Sequence, residues 1–252
     1  MTSSEGIDET WNPVSGCSAI SAGCKHGYAE RLRPRLSAPG QPYAGRVFTD
    51  IPCHPDRRDQ PLRWRRARRS FVNRMSDLFH AQVPDAFILQ VFDTMRRCAA
   101  EDRHHRFQSL TKRPQRMAEF CRRLRFDGRQ GRLWLADSDD GPGYRRMGGN
   151  GCTGLTHVWL GVSVEDQDAA EARIPWQLMS PAGGRFLSIE PLPGPGDLTA
   201  PMGHGGFWFD ALGGGIHSPL ISQGRRTHQR SDGVADIRVR QLEKEVVHAP
   251  PT

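Results

Sequence analysis

The sequence of 252 residues lacks any run of about 18 apolar residues, the length that a membrane-spanning helix requires. Its first residues, MTSSEGIDE, also lack the basic stretch and the apolar stretch of a secretory signal. We therefore expect a soluble, cytoplasmic protein with no membrane partner. In that compartment the six cysteines are expected to be reduced thiols rather than disulfides.

The sequence has no excess of acidic residues, and its formal net charge is +7, carried mostly by arginine. A basic surface favours polyanionic partners, nucleic acid first, although an arginine-rich surface that merely reflects a GC-rich genome is an open alternative. The densest basic block is Arg57–Arg69, RRDQPLRWRRARR. We interpret it as a solvated helix face with Trp64 turned inward, in preference to a phosphate-contacting patch.

Apolar periodicity predicts a repeating strand-loop-helix pattern along most of the chain. The predicted strands are 70–75, 106–110, 157–164, 185–189 and 207–212, with an edge strand at 47–51. The predicted helices are 84–98, 166–173 and one that begins at Pro114 and includes Leu124. A further helical turn is predicted from Pro175. Strands separated by helices favour a parallel sheet with right-handed crossovers. The predicted fold class is α/β, a partial or complete parallel (β/α) barrel.

Two segments interrupt the pattern and set the predicted domain organisation. The glycine-rich stretch 127–156 is predicted to be a flexible insertion with one short strand at 133–135. Residues 216–252 are polar and are predicted to form an irregular, partly disordered tail, with a marginal helix over 234–247. We therefore predict one α/β domain over residues 1–215 and a divergent tail over 216–252.

Polar residues follow the predicted strands at their carboxyl ends, where α/β folds carry their chemistry. They are Ser76, Asp77, Thr111, Lys112, Arg113, Ser163, Glu165 and Glu190. Asp77 and Glu190 are candidates for binding a cofactor or substrate, and Lys112 with Arg113 suits an anionic ligand such as a nucleotide phosphate. Ordinary helix capping by these residues is an equally open interpretation.

The segment Thr10–Arg31, TWNPVSGCSAISAGCKHGYAER, repeats a Gly-Cys pair at an offset of seven residues. Glycine before Cys17 and before Cys24 lets the backbone turn tightly and bring two thiolates to a shared metal or cluster. Gly27 stands where a third thiolate would complete the loop. Two ligand sets are open: His26, Cys53 or Cys152 replacing the third thiolate of a cluster, or zinc held by Cys17, Cys24 and His26 with Cys53 or His54.

Six ordered motifs give the chain a family resemblance: TWNPVSGC, GCKHGYAERL, FVNRMSDLFH, LTKRPQRM, VWLGVSVEDQ and RFLSIEPLPGPGDL. From about Glu9 to Gly214 the chain resembles the phage-associated three-cysteine-motif family, named after phage gene products thirty-seven and sixty-eight. The resemblance implies a radical S-adenosylmethionine (SAM) type of domain with a 4Fe-4S cluster. It also implies that Asp77, Glu190, Ser163 and Lys112 contact SAM or substrate, and that Cys17 and Cys24 occupy the first two ligand positions.

The predicted function is that of a phage or prophage protein resembling radical SAM enzymes, acting on nucleic acid or a nucleotide, with a separate partner protein as a further expectation. Because Gly27 replaces the third ligand, we expect its cluster chemistry to be impaired. One alternative is a non-catalytic, basic nucleic-acid-binding protein on the same scaffold. The other is a degenerate remnant, which the unmatched residues after 215 favour.

Overall fold

The computed structural model describes residues 7–21, 24, 32, 34–39, 43–101, 103–137, 155–189 and 208–209. The strands within these residues are β1 (Glu9–Trp11), β2 (Arg69–Val72), β3 (Arg106–Thr111), β4 (Leu124–Asp127), β5 (Arg132–Leu135), β6 (Val158–Ser163), β7 (Gly184–Ser188) and β8 (Trp208–Phe209). The helices whose two ends both lie in the described residues are α1 (Pro55–Arg58), α2 (Asp85–Ala100), α3 (Pro114–Arg123) and α4 (Gln167–Met179), with a 3₁₀ helix at Gln60–Arg63.

The main sheet has the strand order β1-β2-β3-β6-β7-β8, and every neighbouring pair in it is parallel. Five strands of three to six residues carry the sheet, and β8 adds two residues at its edge. Helix α2 connects β2 to β3, and α4 connects β6 to β7, as parallel pairing requires. The prediction of an α/β fold is confirmed, whereas closure into a barrel stays a prediction.

The inner strands lie where apolar residues predicted them, because a parallel sheet covered on both faces needs near-continuous apolar runs. In β6, five of the six residues are buried. Strand β1 was not predicted, since only Trp11 of its three residues is buried. It pairs in register with β2, Trp11 beside Val72. Its place in the sheet therefore depends on tertiary contacts rather than on its own composition.

Helix α4 corrects the sequence prediction of two separate helical pieces around Pro175. The helix is continuous over Gln167–Met179 with Pro175 inside it. Its start is fixed by Asp166, whose side chain accepts a hydrogen bond from the amide of Ala169 at 2.7 Å. Proline leaves the carbonyl of Glu171 without its helical donor, but Glu171 is exposed, so water can supply one.

Two further sequence predictions were wrong. Residues 47–51 form turns instead of an edge strand, and Val47 is 70% exposed. Arg57–Arg69 is not one helix face, because α1 ends at Arg58, the 3₁₀ helix ends at Arg63, and the chain is irregular until β2. The inward position of Trp64 is confirmed, since it packs against the core and its ring lies 5.2 Å from that of His105.

The predicted short strand at 133–135 is present as β5, which pairs antiparallel with β4. Leu124 was predicted on the buried face of the preceding helix, but α3 ends at Arg123 and Leu124 pairs with Leu135. Residues 138–154 of the predicted insertion lie outside the described residues. Residues 216–252 also lie outside them, so the division into a domain and a tail stays a prediction.

The core lies between the sheet and the helices and is rich in aromatic side chains. Phe92 and Phe120 approach to 5.4 Å between ring centres, and Phe79 contacts both. Trp11 and Phe107 pack at 5.6 Å and tie the edge strand to the centre of the sheet. No helix in the described part of the chain combines the length and the apolar character that a membrane crossing requires.

Candidate functional site at the carboxyl ends of the strands

The segment that carries the cysteines follows β1 and is fastened across the carboxyl end of β2. Gly16 forms a parallel β-bridge with Ser76, and the side-chain oxygen of Asn73 accepts a bond from the amide of Val14 at 3.2 Å. Gly16 has φ +82°, and a Cβ there would lie 2.1 Å from the carbonyl oxygen of Asp50. Only glycine fits at this turn, which explains the residue before Cys17.

Asp77 lies buried where the carboxyl ends of the main-sheet strands meet, an edge that we call the rim, and both of its carboxylate oxygens accept hydrogen bonds. The donors are the amide of Phe79 at 2.9 Å, the hydroxyl of Thr111 at 2.8 and 2.9 Å, the amide of Lys112 at 3.3 Å and Nη1 of Arg113 at 2.9 Å. The carboxylate thereby holds together the ends of β2 and β3. Its contacts within the protein occupy most of its acceptor capacity.

Arg113 links Asp77 to the cysteine segment. Its Nη1 lies 3.8 Å from Sγ of Cys17, and Nη2 donates to the carbonyl and the hydroxyl of Ser18 at 3.1 and 3.0 Å. Burial acts to lower the pKa of Arg113, but the charge and the hydrogen bond of Asp77, together with Cys17, outweigh it and the net shift is upward. The guanidinium therefore stays charged at the rim.

His80 also belongs to the rim, although no pattern in the sequence assigns it a role. Its Nε2 lies 2.7 Å from the hydroxyl of Ser18. Burial, followed by the nearby Arg113 charge, lowers the pKa of His80, so the neutral imidazole is favoured. The contact spans 62 positions in the chain, which places it beyond the reach of local sequence patterns.

Glu165 lies at the carboxyl end of β6 and is 2% exposed. It accepts a hydrogen bond from the hydroxyl of Ser21, lies 3.2 Å from Nζ of Lys112, and is held by two nitrogens of Arg173 at 2.7 and 3.1 Å. Burial acts to raise its pKa, but the bonds from Arg173 and Ser21 and the Lys112 charge lower it overall. Glu165 is thus an anion that joins the cysteine segment to β3 and α4.

The predicted residues Lys112 and Ser163 also lie at the rim, beside Glu165 and Arg173. The carbonyl of Ser163 accepts a bond from Nη1 of Arg173 at 2.7 Å, and the Ser163 side chain is buried. Arg173 was not predicted as a rim residue, because it lies inside α4 and not at the end of a strand. The turn before α4 brings its side chain next to Glu165. Glu190 lies outside the described residues, and its role stays a prediction.

The two described cysteines of the motif lie close enough that charge on Cys24 raises the pKa of Cys17. Burial and the Asp77 charge are the larger causes of that rise, and they favour the neutral thiol. Burial also acts to raise the pKa of Cys24, but hydrogen bonds from Ile20 and Ser21 and the Lys112 charge lower it overall. The hydroxyl of Ser21 lies 3.5 Å from Sγ of Cys24.

The donor set present does not match a three-thiolate cluster site. Within the described residues, no group of three or more His, Cys, Asp or Glu side chains is placed to hold a metal ion. His54, a predicted alternative ligand, instead contacts the hydroxyl of Ser15 at 2.8 Å. His26 and Gly27 lie outside the described residues, and Gly27 has no side chain to offer. Within the described residues the motif supplies two thiols, Cys17 and Cys24, and neither Cys53 nor His54 joins them in a ligand group, whereas a cluster site needs three thiolates and tetrahedral zinc four ligands.

An open cleft of about 630 Å³ extends from Lys112 and Arg113 between α3 and α4. Its cationic lining residues are Lys112, Arg113, Arg116, Arg123 and Arg173, and its acidic ones are Asp85 and Glu119. Trp176 on α4 and Ile20 of the cysteine segment also line it. The cleft thus combines a positive excess with an aromatic surface.

The fold and the site define an α/β protein with a mainly parallel sheet and a charged, cysteine-bearing rim. The chain belongs to the family described as protein of unknown function (DUF5131), whose model matches residues 1–217. No curated protein and no solved structure matches the chain. The phage association and the radical SAM relationship stay predictions.

Proposed function

We propose that the protein is a radical-SAM-like α/β domain whose rim binds a nucleotide or a similar phosphorylated anion without completing an iron-sulfur cluster. The observation that carries the proposal is the joint position of Lys112 and Arg113. Both follow β3, both contact the cysteine segment, and both line the open cleft. A phosphate entering the cleft would meet charged donors at its inner end.

The position of the cysteine segment supports the radical-SAM-like part of the proposal. The segment follows the first strand of a parallel sheet and lies at the carboxyl end, where such folds bind ligands. Cys17 and Cys24 are therefore neighbours of Lys112, Arg113 and Glu165. A partial or complete barrel is part of this proposal.

The charge balance of the cleft supports an anionic ligand. Five cationic side chains line it against two acidic ones, and the buried carboxylates of Asp77 and Glu165 pair with Lys112, Arg113 and Arg173, which leaves a small positive excess. Arg113 and Arg173 are already paired with Asp77 and Glu165, so these carboxylates hold the guanidiniums in fixed positions. Trp176 offers an aromatic face on which a nucleobase can stack, and aromatic stacking is tolerant of base identity.

Calorimetric titration with ATP, ADP and inorganic phosphate tests the proposal. We expect binding to the wild-type protein and a loss of about tenfold in affinity for Lys112→Gln, since a hydrogen bond to a charged group contributes about 1.5 to 3 kcal/mol. Arg132→Gln is the matched control, because Arg132 is exposed at the start of β5 and does not line the cleft. Absence of binding, or equal losses in both variants, would contradict a phosphate site at the rim.

The second candidate is a cluster-bearing enzyme of radical SAM type, which the pairing of Cys17 and Cys24 at the rim favours. It requires a third ligand from His26, from another cysteine or from a separate partner protein. Iron uptake after anaerobic reconstitution distinguishes the two candidates, because the first predicts ligand binding by a protein that assembles no 4Fe-4S cluster.

A further inference from the structure

Five exposed arginines lie at the amino ends of β2 and β3, the end of the sheet opposite the rim. We call them the amino-end arginine surface: Arg63, Arg65, Arg66, Arg69 and Arg106. Arg69 is the first residue of β2 and Arg106 the first residue of β3, and the two are directly opposed in the parallel register. Adjacent strands lie about 4.8 Å apart, so these two positive side chains leave the sheet side by side.

The segment before β2 is held against the segment before β3 by several specific contacts. The Trp64 ring meets the edge of His105 at 5.2 Å, and the amide of Arg68 donates to Nδ1 of His105 at 3.2 Å. The carbonyl of Arg68 accepts from the amide of Arg106 at 2.9 Å. These contacts place the two arginine-bearing segments on one surface.

This arrangement opposes stability, because like charges directly opposite in a sheet repel each other. Arg69 has one carboxylate partner, Asp8, whose Oδ2 lies 3.7 Å from its Nε, and both side chains are about half exposed. The other four arginines have no ion pair within the described residues. A cluster in which four of five arginines lack an ion pair among the described residues is expected where a negatively charged partner supplies the missing charge.

The guanidinium of Arg106 is held in a fixed orientation by an aromatic ring. Its guanidinium carbon lies 4.6 Å from the centre of the Trp159 ring. A guanidinium stacked on an aromatic face is held in orientation while its N–H groups, which lie in the guanidinium plane, keep their donor capacity. Arg106 can therefore present a fixed fork of donors to a phosphate.

We propose that the amino-end arginine surface binds the phosphate backbone of nucleic acid, independently of the ligand at the rim. Arginine matches phosphate geometry through paired donors, and a run of such contacts gives sequence-independent binding. A membrane surface fits less well, because insertion needs apolar side chains beside the charges. Among the described residues, the exposed large apolar side chains are Ile20, Val47, Trp134 and Met179, none of which belongs to this surface.

Fluorescence anisotropy with a labelled DNA duplex, titrated from about 50 to about 200 mM salt, tests this proposal. The wild-type affinity is expected to fall linearly on logarithmic axes. In the triple variant Arg65→Gln, Arg66→Gln, Arg106→Gln, the slope should decrease by roughly 2.7, about 0.9 for each phosphate that the protein no longer neutralises. Substituting the same three positions with lysine keeps the charge and should preserve most of the slope.

Arg46→Gln is the control, since it removes a positive charge that lies outside this surface. Arg46 follows the carboxyl end of β1, and its Nη2 lies 3.1 Å from Oδ2 of Asp50. The substitution should leave the slope unchanged. An unchanged slope in the glutamine triple variant, with wild-type thermal unfolding, would overturn the proposal. So would duplex binding that depends on Lys112 instead of these arginines, or binding to phosphatidylserine vesicles without binding to the duplex.

The two proposals fail separately. The nucleotide titration probes Lys112 and the cleft with small ligands, whereas the salt titration probes charges at the other end of the strands with a polymer. A negative result in one titration leaves the other result intact.

Discussion

Individual residues at the rim differ in chemistry according to what surrounds them. Cys17 and Cys24 belong to one motif, yet the pKa of Cys17 is raised by burial and that of Cys24 is lowered overall by its hydrogen bonds and by Lys112. Burial raises the pKa of Cys98 to about 12 and moves that of Cys121 still higher. Since the thiolate is the reactive form, the described cysteines should differ widely in reactivity.

We predict that iodoacetamide near neutral pH modifies Cys24 before the other described cysteines. Peptide mapping by mass spectrometry over time measures each rate. Lys112→Gln should slow the modification of Cys24 because it removes a charge that favours the thiolate, while Arg66→Gln should not. Faster modification of Cys17 or Cys53 than of Cys24 would contradict this assignment.

Glu165 gives a prediction about pH. Its pKa is below the ordinary value in the folded state, so the unfolded chain binds more protons there, and stability rises with pH in that range. The contribution of Glu165 is therefore complete above its ordinary pKa near 4.5 and is lost as pH falls below it. Urea unfolding of Glu165→Gln should show a loss of about 3 kcal/mol near pH 7, because Arg173 is left buried without its partner.

That loss should shrink as pH falls through the lowered folded-state pKa of Glu165, because the wild-type carboxylate then also becomes protonated. A loss of the same size across the whole acid range would show that shape, and not charge, accounts for the effect. Thr94→Ser is conservative in size, and its hydroxyl donates to Asp59 rather than to a rim residue. Its stability difference from the wild-type protein should not follow the pH dependence of Glu165→Gln.

The rim residues that directly follow strands were predicted from the sequence, whereas those that reach the rim from elsewhere were not. Asp77, Lys112 and Ser163 were predicted because parallel strands end at one edge. Arg173 comes from inside a helix, and His80 from a loop, so no strand-end rule applies to them. Their contacts with the rim are set by tertiary packing that the local pattern does not encode.

At the scale of the elements, apolar runs predicted the strands that are buried on both faces. Strand β1 was not predicted, because its pairing depends on its neighbour β2 and not on its own sequence. The run at 47–51 has suitable strand residues but forms turns, in which the amide of Asp50 donates to the carbonyl of Val47 at 3.0 Å. The sequence prediction divided helix α4 at Pro175, because proline usually interrupts a helix. Packing of α4 keeps the helix continuous across this residue.

Strand β6 offers a direct test of how tightly the sheet is packed. Gly161 lies beside Phe186 of β7, and a Cβ at position 161 would lie 2.3 Å from the Phe186 ring. Gly161→Ala is expected to reduce the free energy of unfolding by about 1 to 3 kcal/mol, because the ring has to move within a buried site. Urea denaturation provides the measurement.

Gly128→Ala is the control for this substitution, since its Cβ would meet only the Phe126 ring at 3.7 Å. Adding Phe186→Leu to Gly161→Ala should recover part of the stability by relieving the overlap. Full stability of the Gly161→Ala single variant would mean that the ring is not packed over the glycine.

At the scale of the whole molecule, the two ends of the sheet are proposed to bind different ligands. The carboxyl end gathers buried, paired charges around the cysteine segment, which suits a small anionic ligand in the cleft. The amino end carries exposed arginines with few partners, which suits a polymer of phosphates. Composition predicted the positive excess but could not separate these two surfaces, because charge counts do not record position or pairing.

The most direct measurement is the iron content after anaerobic reconstitution with iron and sulfide, for the wild-type protein and for Gly27→Cys side by side. We predict that the wild-type protein retains far less than four irons per chain and lacks the charge-transfer absorption of a cluster, while Gly27→Cys approaches four irons per chain. About four irons in the wild-type protein would contradict the proposal of an incomplete cluster site. No gain of iron in Gly27→Cys would contradict the radical-SAM-like assignment.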